Sequence, residues 1–375
     1  MKILIPTMVG DDHARIVCCA ATRRGIDVHR WFTADYPCRQ SISIYYENAE
    51  ETNWVFNGPS LSLENQKFDV IWLRRPVPPI LPDILHPEDR QVAVTENAFF
   101  FRSLWHALAK EAFWINSYPG HLAARSKLLQ LREAKQSGFT IPRTLVSNDP
   151  DDIAAFILKN QPNQTIYKSF FPARWDLSDG NAAVLETTKI SVESLPNPEI
   201  LRLTPGIFQP YIEKEFEVRA TFLGAHVVAI RLNSQHSQQG KTDYRVSPIN
   251  ELDPEPYILP PEIYESCRQL MKKLNIVFGC FDFIVTPEHD FVFLEVNEMG
   301  QFLWKEQVCP ETRILDAFLD FLMHPSFDFE WQPRADRIRL SSIIESDEYN
   351  RLELEENTLH MRSFPNPTSG FYEAR

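Results

Sequence analysis

No two of the six cysteines in this 375-residue chain stand at Cys-x-x-Cys spacing. Cys18, Cys19, Cys38, Cys267, Cys280 and Cys309 are scattered, so neither a zinc site nor a disulfide framework is indicated, and buried thiols are expected. Long apolar runs are missing too: none approaches the roughly 20 residues a spanning helix needs. The opening Met1-Lys2-Ile3-Leu4-Ile5-Pro6 is too short for a signal peptide and reads as a buried strand. A cytoplasmic protein without a membrane partner is expected. Positive charge is in deficit, 38 Lys and Arg against 51 Asp and Glu, a formal net charge of −13. That argues against a nucleic-acid binder, which needs a basic stripe to neutralise phosphates. A few local cations still suffice for one nucleotide triphosphate with its metal ions. The Gly-x-Gly-x-x-Gly turn of dinucleotide folds is also absent.

What is present is a mixed α/β pattern long enough for two or three domains. Residues 1–116 alternate strands (Lys2–Pro6, Ile26–Thr33, Phe68–Leu73, Trp114–Asn116) with helices (Asp12–Arg24, Pro87–Phe113), which predicts a largely parallel sheet. Residues 117–207 form a second unit, with helices over Ser126–Ser137 and Asp149–Lys159 and a strand at Thr165–Lys168. Residues 208–324 turn to hairpins: Glu217–Phe222 with His226–Leu232, then Phe281–Val285 with Phe291–Asn297. Helices are expected at Pro261–Leu274 and Glu311–Met323. The proline-containing stretch 325–375 reads as a partly ordered appendage with no chemistry of its own.

The last hairpin carries the most chemistry. Side chains alternate along a strand, so Glu295 and Asn297 share a face about 6.6 Å apart. Asp282 on the partner strand can join them if the register allows. Two carboxylates and an amide oxygen are hard ligands suited to Mg²⁺, although polar residues facing water from an edge strand would look the same. Lys168 ends an apolar strand and Lys127 opens a helix; each is either a solvated terminus or a point charge for phosphate. Arg219, Arg231 and Arg245 fall in one sheet region, as surface charge or as a phosphate-neutralising trio, and Asp243 could pair locally with Arg245. Gln209-Pro210-Tyr211-Ile212 reads as an interlobe linker or as a hinge bordering an adenine, with a following carboxylate for the ribose.

In this order the residues resemble the ATP-grasp ligases, and more particularly the macrocyclases of microviridin-type peptides. The resemblance rests on Arg74-Arg75-Pro76, on Asp243-Tyr244-Arg245, and on Glu295-Val296-Asn297-Glu298-Met299-Gly300-Gln301-Phe302-Leu303-Trp304. It covers about Met1 to Met323. It implies an ATP-grasp fold: a Rossmann-like pre-ATP-grasp domain, a central domain and a C-terminal antiparallel-sheet domain. It implies that Lys127 and Lys168 contact ATP phosphates, that Gln209, Tyr211 and Ile212 border the adenine, and that Glu217 takes the ribose. Asp282, Glu295 and Asn297 would hold two Mg²⁺, with Arg219, Arg231, Arg245 and Asp243 around the reacting phosphoryl group. Pro210 replaces a polar hinge residue, and Glu298 stands where the family commonly has proline. The resemblance suggests a homodimer and a precursor peptide as substrate, its Asp or Glu side chains joined to Ser, Thr or Lys side chains through an acyl phosphate. The alternatives are a ligase that adds a free amino acid, and a non-catalytic nucleotide- or peptide-binding module.

Overall fold

The structure, a computed structural model, describes residues 1–46, 53–170, 174–176, 182–184, 187–237, 240, 244 and 247–362. Its first sheet is parallel, in the order β2-β1-β6-β7, from β1 (Lys2–Thr7), β2 (Asp27–Phe32), β6 (Val70–Trp72) and β7 (Phe113–Ile115). Ile3-Leu4-Ile5 and Val70-Ile71-Trp72 are buried throughout, as strands covered on both faces must be. Helix α1 (Asp12–Arg23) starts where Asp11 accepts the amides of His13 and Ala14, and α2 (Pro87–Ala107) lies between β6 and β7. An antiparallel sheet of β3 (Ser41–Tyr45), β4 (Asn53–Asn57) and β5 (Ser62–Glu64) was not foreseen. It packs Phe56, Leu61 and Leu63 on Trp31 and Trp105.

Helices α3 (Tyr118–Arg125) and α4 (Lys127–Gln136) follow, then a central antiparallel sheet. Its order is β12-β9-β13-β8, from β8 (Leu145–Ser147), β9 (Thr165–Lys168), β12 (Thr188–Ile190) and β13 (Gly206–Pro210). Helix α5 (Pro150–Asn160) covers one face through Ile153 and Ile157 against Phe208. The strand pair β10 (Arg174–Asp176) and β11 (Ala182–Val184) and the short α6 (Pro198–Leu201) complete this part.

The largest sheet is antiparallel, in the order β16-β15-β14-β17-β18: β14 (Phe216–Leu223), β15 (His226–Leu232), β16 (Glu255–Tyr257), β17 (Phe278–Val285) and β18 (Phe291–Asn297). Helix α7 (Pro261–Leu274) packs Cys267, Leu270, Met271 and Leu274 under Val218, Phe222, Phe281 and Phe283. Helices α3 and α4 join this same core through Ala124 and Ala134. The opposite face therefore remains for polar residues.

Helices α8 (Trp304–Val308) and α9 (Ile314–Met323) lead into the C-terminal stretch, which the structure describes to residue 362. Rather than a loose appendage, it folds as α10 (Leu340–Ile344) and α11 (Asp347–Leu359) and buries Leu340, Ile343, Tyr349 and Leu352 with α1 and α9. Polar contacts fasten it. Glu356 is buried between Arg15, at 3.0 and 3.1 Å, and Arg30, and it accepts the Gly10 amide at 3.2 Å. No described helix is long and apolar enough to cross a membrane.

Candidate active site

The β17–β18 register pairs Asp282 with Glu295 and Cys280 with Asn297, so Asp282, Glu295 and Asn297 share one face. An extra residue follows on β18, since Phe283 pairs with Phe293. Such a bulge re-aims the neighbouring side chains. Across β14 the partner of Asp282 is Arg219. Its Nη1 donates to both Asp282 oxygens, at 3.0 and 3.1 Å, and to the Tyr244 hydroxyl, while Nη2 donates to the Gln301 carbonyl at 3.2 Å. Lys127, at the start of α4, reaches round the β18 edge to Glu295 at 3.0 Å. Each carboxylate is thus matched by a cation that a phosphate could also engage.

Among the described residues there is no cluster of three or more His, Cys, Asp and Glu that could hold a metal ion. Two carboxylates plus the Asn297 amide oxygen form the hard-oxygen set instead. That oxygen accepts the Met299 amide at 3.0 Å and has a second lone pair for a cation. The residues fit Mg²⁺, which prefers a few protein oxygens and completes its shell from water and phosphate.

The segment that carries these ligands is held mainly by side chains from earlier in the chain. Gln130 of α4 accepts the Val296 amide and donates to its carbonyl, both at 2.9 Å, which closes the free edge of β18. Asn116 donates to the carbonyls of Phe278 and Glu298, at 2.8 and 3.1 Å. The fully buried Arg74 donates to the carbonyls of Met299 and Gly300 and is held by Asp11 at 3.1 Å. His13 accepts the amides of Phe302 and Leu303, at 2.9 and 3.1 Å. A Cβ on Gly300 would lie 2.6 Å from the Cys280 Cβ, so only glycine lets the loop approach β17 this closely. Glu298 is buried with its Oε1 2.9 Å from Nδ1 of the equally buried His121, which accounts for a charge at a position the family gives to proline. Behind Arg219, the buried Lys305 donates to the carbonyls of Arg219 and Val228, at 2.9 and 3.0 Å, and to the Thr221 hydroxyl at 2.8 Å. Burial lowers its pKa to about 7.

His13 gives this clamp a pH dependence. Burial first, then the positive charges of Arg74, Arg75 and Arg219, hold its imidazole well below the usual range. The folded protein resists protonation that the unfolded chain accepts near pH 6.5, so this stabilisation is complete above about pH 6.5 and lost as pH falls. Urea unfolding between pH 7.5 and 5 should therefore lose up to ~1.4 kcal/mol per pH unit from this group. The loss should shrink in His13→Gln; an unchanged slope would rule the group out.

The nucleotide candidates lie on the central sheet. Lys168 pairs with Ile207 and Gln209 with Ile166, so Lys168 and Gln209 share the face opposite α5. Gln209 is buried; its Nε2 donates to Thr144 Oγ1 at 2.9 Å, and its Oε1 has no partner among the described residues. An orphaned buried acceptor suits a ligand with an N–H donor, such as the amino group of adenine. A cavity of about 670 Å³ between α4 and residues 139–146 has Thr144 and Val146 in its wall. The Tyr211 amide is committed to the Gln164 carbonyl at 2.6 Å, and its ring lies 3.9 Å from the Lys189 ammonium; Ile212 follows, half-buried. Glu217 shares the face of Arg219 but is buried with Lys214 at 2.7 Å.

Arg231 does not join this group. The hairpin pairs it with Val218, on the α7 face, where its guanidinium lies over the Phe216 ring and its Nε donates to Asn233 at 2.8 Å. Asp243 and Arg245 lie outside the described residues. Sequence reasoning passed over His13, Asn116, Gln130 and Lys305, which act on backbone groups far away in the chain and leave no local pattern. Arg74 was noted only through the resemblance.

A central antiparallel sheet bearing Lys168, and a larger one with hard oxygens on its last hairpin and Lys127 beside them, make the ATP-grasp fold. Residues 2–121, the N-terminal third of the chain, match the family described as MvdD pre-ATP grasp domain. Comparison with curated proteins finds no significant match. Among solved structures, the chain is similar to the macrocyclase MdnC from Microcystis aeruginosa MRC, bound with precursor peptide MdnA, at 26% identity and a TM-score of 0.74. That match covers 86% of this chain and 99% of MdnC. A RiPP-associated ATP-grasp ligase from Chryseobacterium gregarium, in complex with ADP and a leader and core peptide, matches at 26% identity and TM-score 0.75, covering 90% and 99%. The macrocyclase MdnB from Microcystis aeruginosa MRC matches at 26% and 0.71, covering 86% and 99%. Part of this chain therefore has no counterpart in them.

Proposed function

We propose that this protein is an ATP-dependent ligase of a precursor peptide. It activates an Asp or Glu side chain as an acyl phosphate and joins it to a Ser or Thr hydroxyl or a Lys amine, with release of ADP and phosphate. One observation carries the reading: Asp282, Glu295 and Asn297 share a face with Arg219, and Lys127 reaches Glu295 from α4, in a fold like that of two enzymes captured with their peptides. Asp282, Glu295 and Asn297 would hold Mg²⁺, two ions on the pattern of the resemblance, and the metal would neutralise charge on the transferring phosphoryl group. Lys127 and Arg219, each already on a carboxylate, would turn toward phosphate oxygens. Lys168 would hold the nucleotide from the facing sheet, and the Gln209 carbonyl would accept from its base. Glu217, Tyr211 and Ile212 complete the proposed nucleotide border, with Glu217 exchanging Lys214 for a ribose hydroxyl. Incubation with ATP, Mg²⁺ and a candidate precursor peptide rich in Asp or Glu and in Ser, Thr or Lys should give peptide that has lost one water per link by mass spectrometry. Peptide that gains an amino acid, or ATP turnover without any loss of water, would overturn the reading.

A further inference from the structure

Far from the Asp282–Glu295 face, the C-terminal stretch brings a histidine onto the N-terminal domain. His360 follows α11, and its Nε2 lies 2.9 Å from the hydroxyl of Ser60, on the exposed turn between β4 and β5. Its Nδ1 lies 2.5 Å from Asp35 Oδ2. The other Asp35 oxygen accepts the Met361 amide at 2.8 Å, so both carboxylate oxygens are committed to holding the imidazole in place. The imidazole stacks on Phe32 at 3.9 Å, and the backbone before it is pinned by Arg39, which donates to the Leu359 carbonyl at 2.6 Å. Asp35 and His360 are buried, with side chains 4% and 2% exposed. Only the serine meets solvent.

This is the connectivity of a Ser-His-Asp nucleophilic site. A carboxylate on Nδ1 fixes the tautomer that leaves the Nε2 lone pair for the serine proton. A mere tether would need neither the ordered imidazole nor the carboxylate locked by a backbone amide behind it. The amides of Ser60 and Leu61 lie outside the β4–β5 ladder, which begins at the Asn57–Ser62 pair.

We propose that Ser60, His360 and Asp35 form a second active site that hydrolyses carboxylic esters. The Ser60 Oγ attacks the ester carbonyl while its proton passes to His360 Nε2. The C–O bond to the alcohol breaks, and the alcohol leaves with that proton. Water then attacks the acyl-serine, giving its proton to His360, and the carboxylic acid departs as the serine is restored. Ester and water become acid and alcohol, with no redox change. The exposed turn fits an ester carried on an open, flexible chain rather than one enclosed in a deep pocket. Ester-linked side chains of a peptide belong to that class.

The test uses the full chain without ATP or Mg²⁺, so its outcome is independent of the ligase reading. A fluorophosphonate should give one adduct on the peptide that contains Ser60, and p-nitrophenyl acetate should be hydrolysed. Ser60→Ala removes one exposed hydroxyl and should abolish both while leaving the melting temperature unchanged. Asp35→Asn and His360→Gln should slow labelling by about 10²-fold or more. Absence of an adduct on Ser60, or equal hydrolysis by the wild type and Ser60→Ala, would overturn the proposal and leave the contact as a fastening for the C-terminal stretch.

Discussion

Glu295→Gln should lower ATP-dependent dehydration of the precursor peptide by about 10²–10³-fold or more, the usual cost of removing one charge-stabilising group from a transition state. The substitution keeps shape and removes charge. It weakens one of the two carboxylates proposed to hold Mg²⁺ and leaves Lys127 facing a neutral amide. Folding should barely change. Both partners are about a third exposed, and solvent screening leaves such a pair worth roughly 0–1 kcal/mol. The two readouts separate cause from damage: peptide mass after a timed reaction reports the site, and the melting temperature reports the fold. Near-normal modification by Glu295→Gln would remove Glu295 from the metal set and leave the proposed chemistry without its centre.

Glu356→Ala has the opposite signature, a large effect on stability far from the reacting atoms. The Glu356 carboxylate is 1% exposed and is shared by Arg15, 2% exposed, and Arg30, 7% exposed. Deleting it removes the carboxylate from the buried Arg30, leaves Arg15 only Asp12 and Glu353, and deprives the Gly10 amide of its acceptor. Breaking a buried pair from one side typically costs about 3–5 kcal/mol, because the remaining charge keeps its desolvation penalty. Urea unfolding should show that loss, with the C-terminal stretch becoming protease-sensitive first. A change below about 1 kcal/mol would mean that the apolar contacts of Leu340, Ile343 and Leu352 hold this segment without its ion pairs.

Much of the fold was legible because the strongest signals are local. Ile3-Leu4-Ile5 and Val70-Ile71-Trp72 read as strands since a parallel sheet buries both faces. Pro261–Leu274 was readable between its proline breakers and the next strand, and the structure closes it with Asn275 in the left-handed region. The shared face of Glu295 and Asn297 was readable too, since two-residue spacing fixes it. Arg231 shows where that logic fails. It is as close to Arg219 in the hairpin as a reader could wish, but pairing Leu223 with His226 across Gly224 sets a register that aligns Arg219 with Ile230 and sends Arg231 to the other face. One residue of slip reverses every side chain. Gly224 itself is fixed by a distant segment, since a Cβ there would stand 2.5 Å from the Ser326 carbonyl. The helices after residue 339 escaped notice for a related reason. Their buried residues are few, and the surface they cover belongs to α1, at the other end of the sequence.

The clamp on residues 296–303 bears on how such a protein can be assembled from parts. Its backbone amides and carbonyls find partners in His13, Arg74 and Asn116, all contributed before residue 117. The loop and the N-terminal domain therefore fit as lock and key. Grafting another N-terminal domain onto this C-terminal half would import a folded neighbour and still leave the loop unlocked, unless those three side chains came with it.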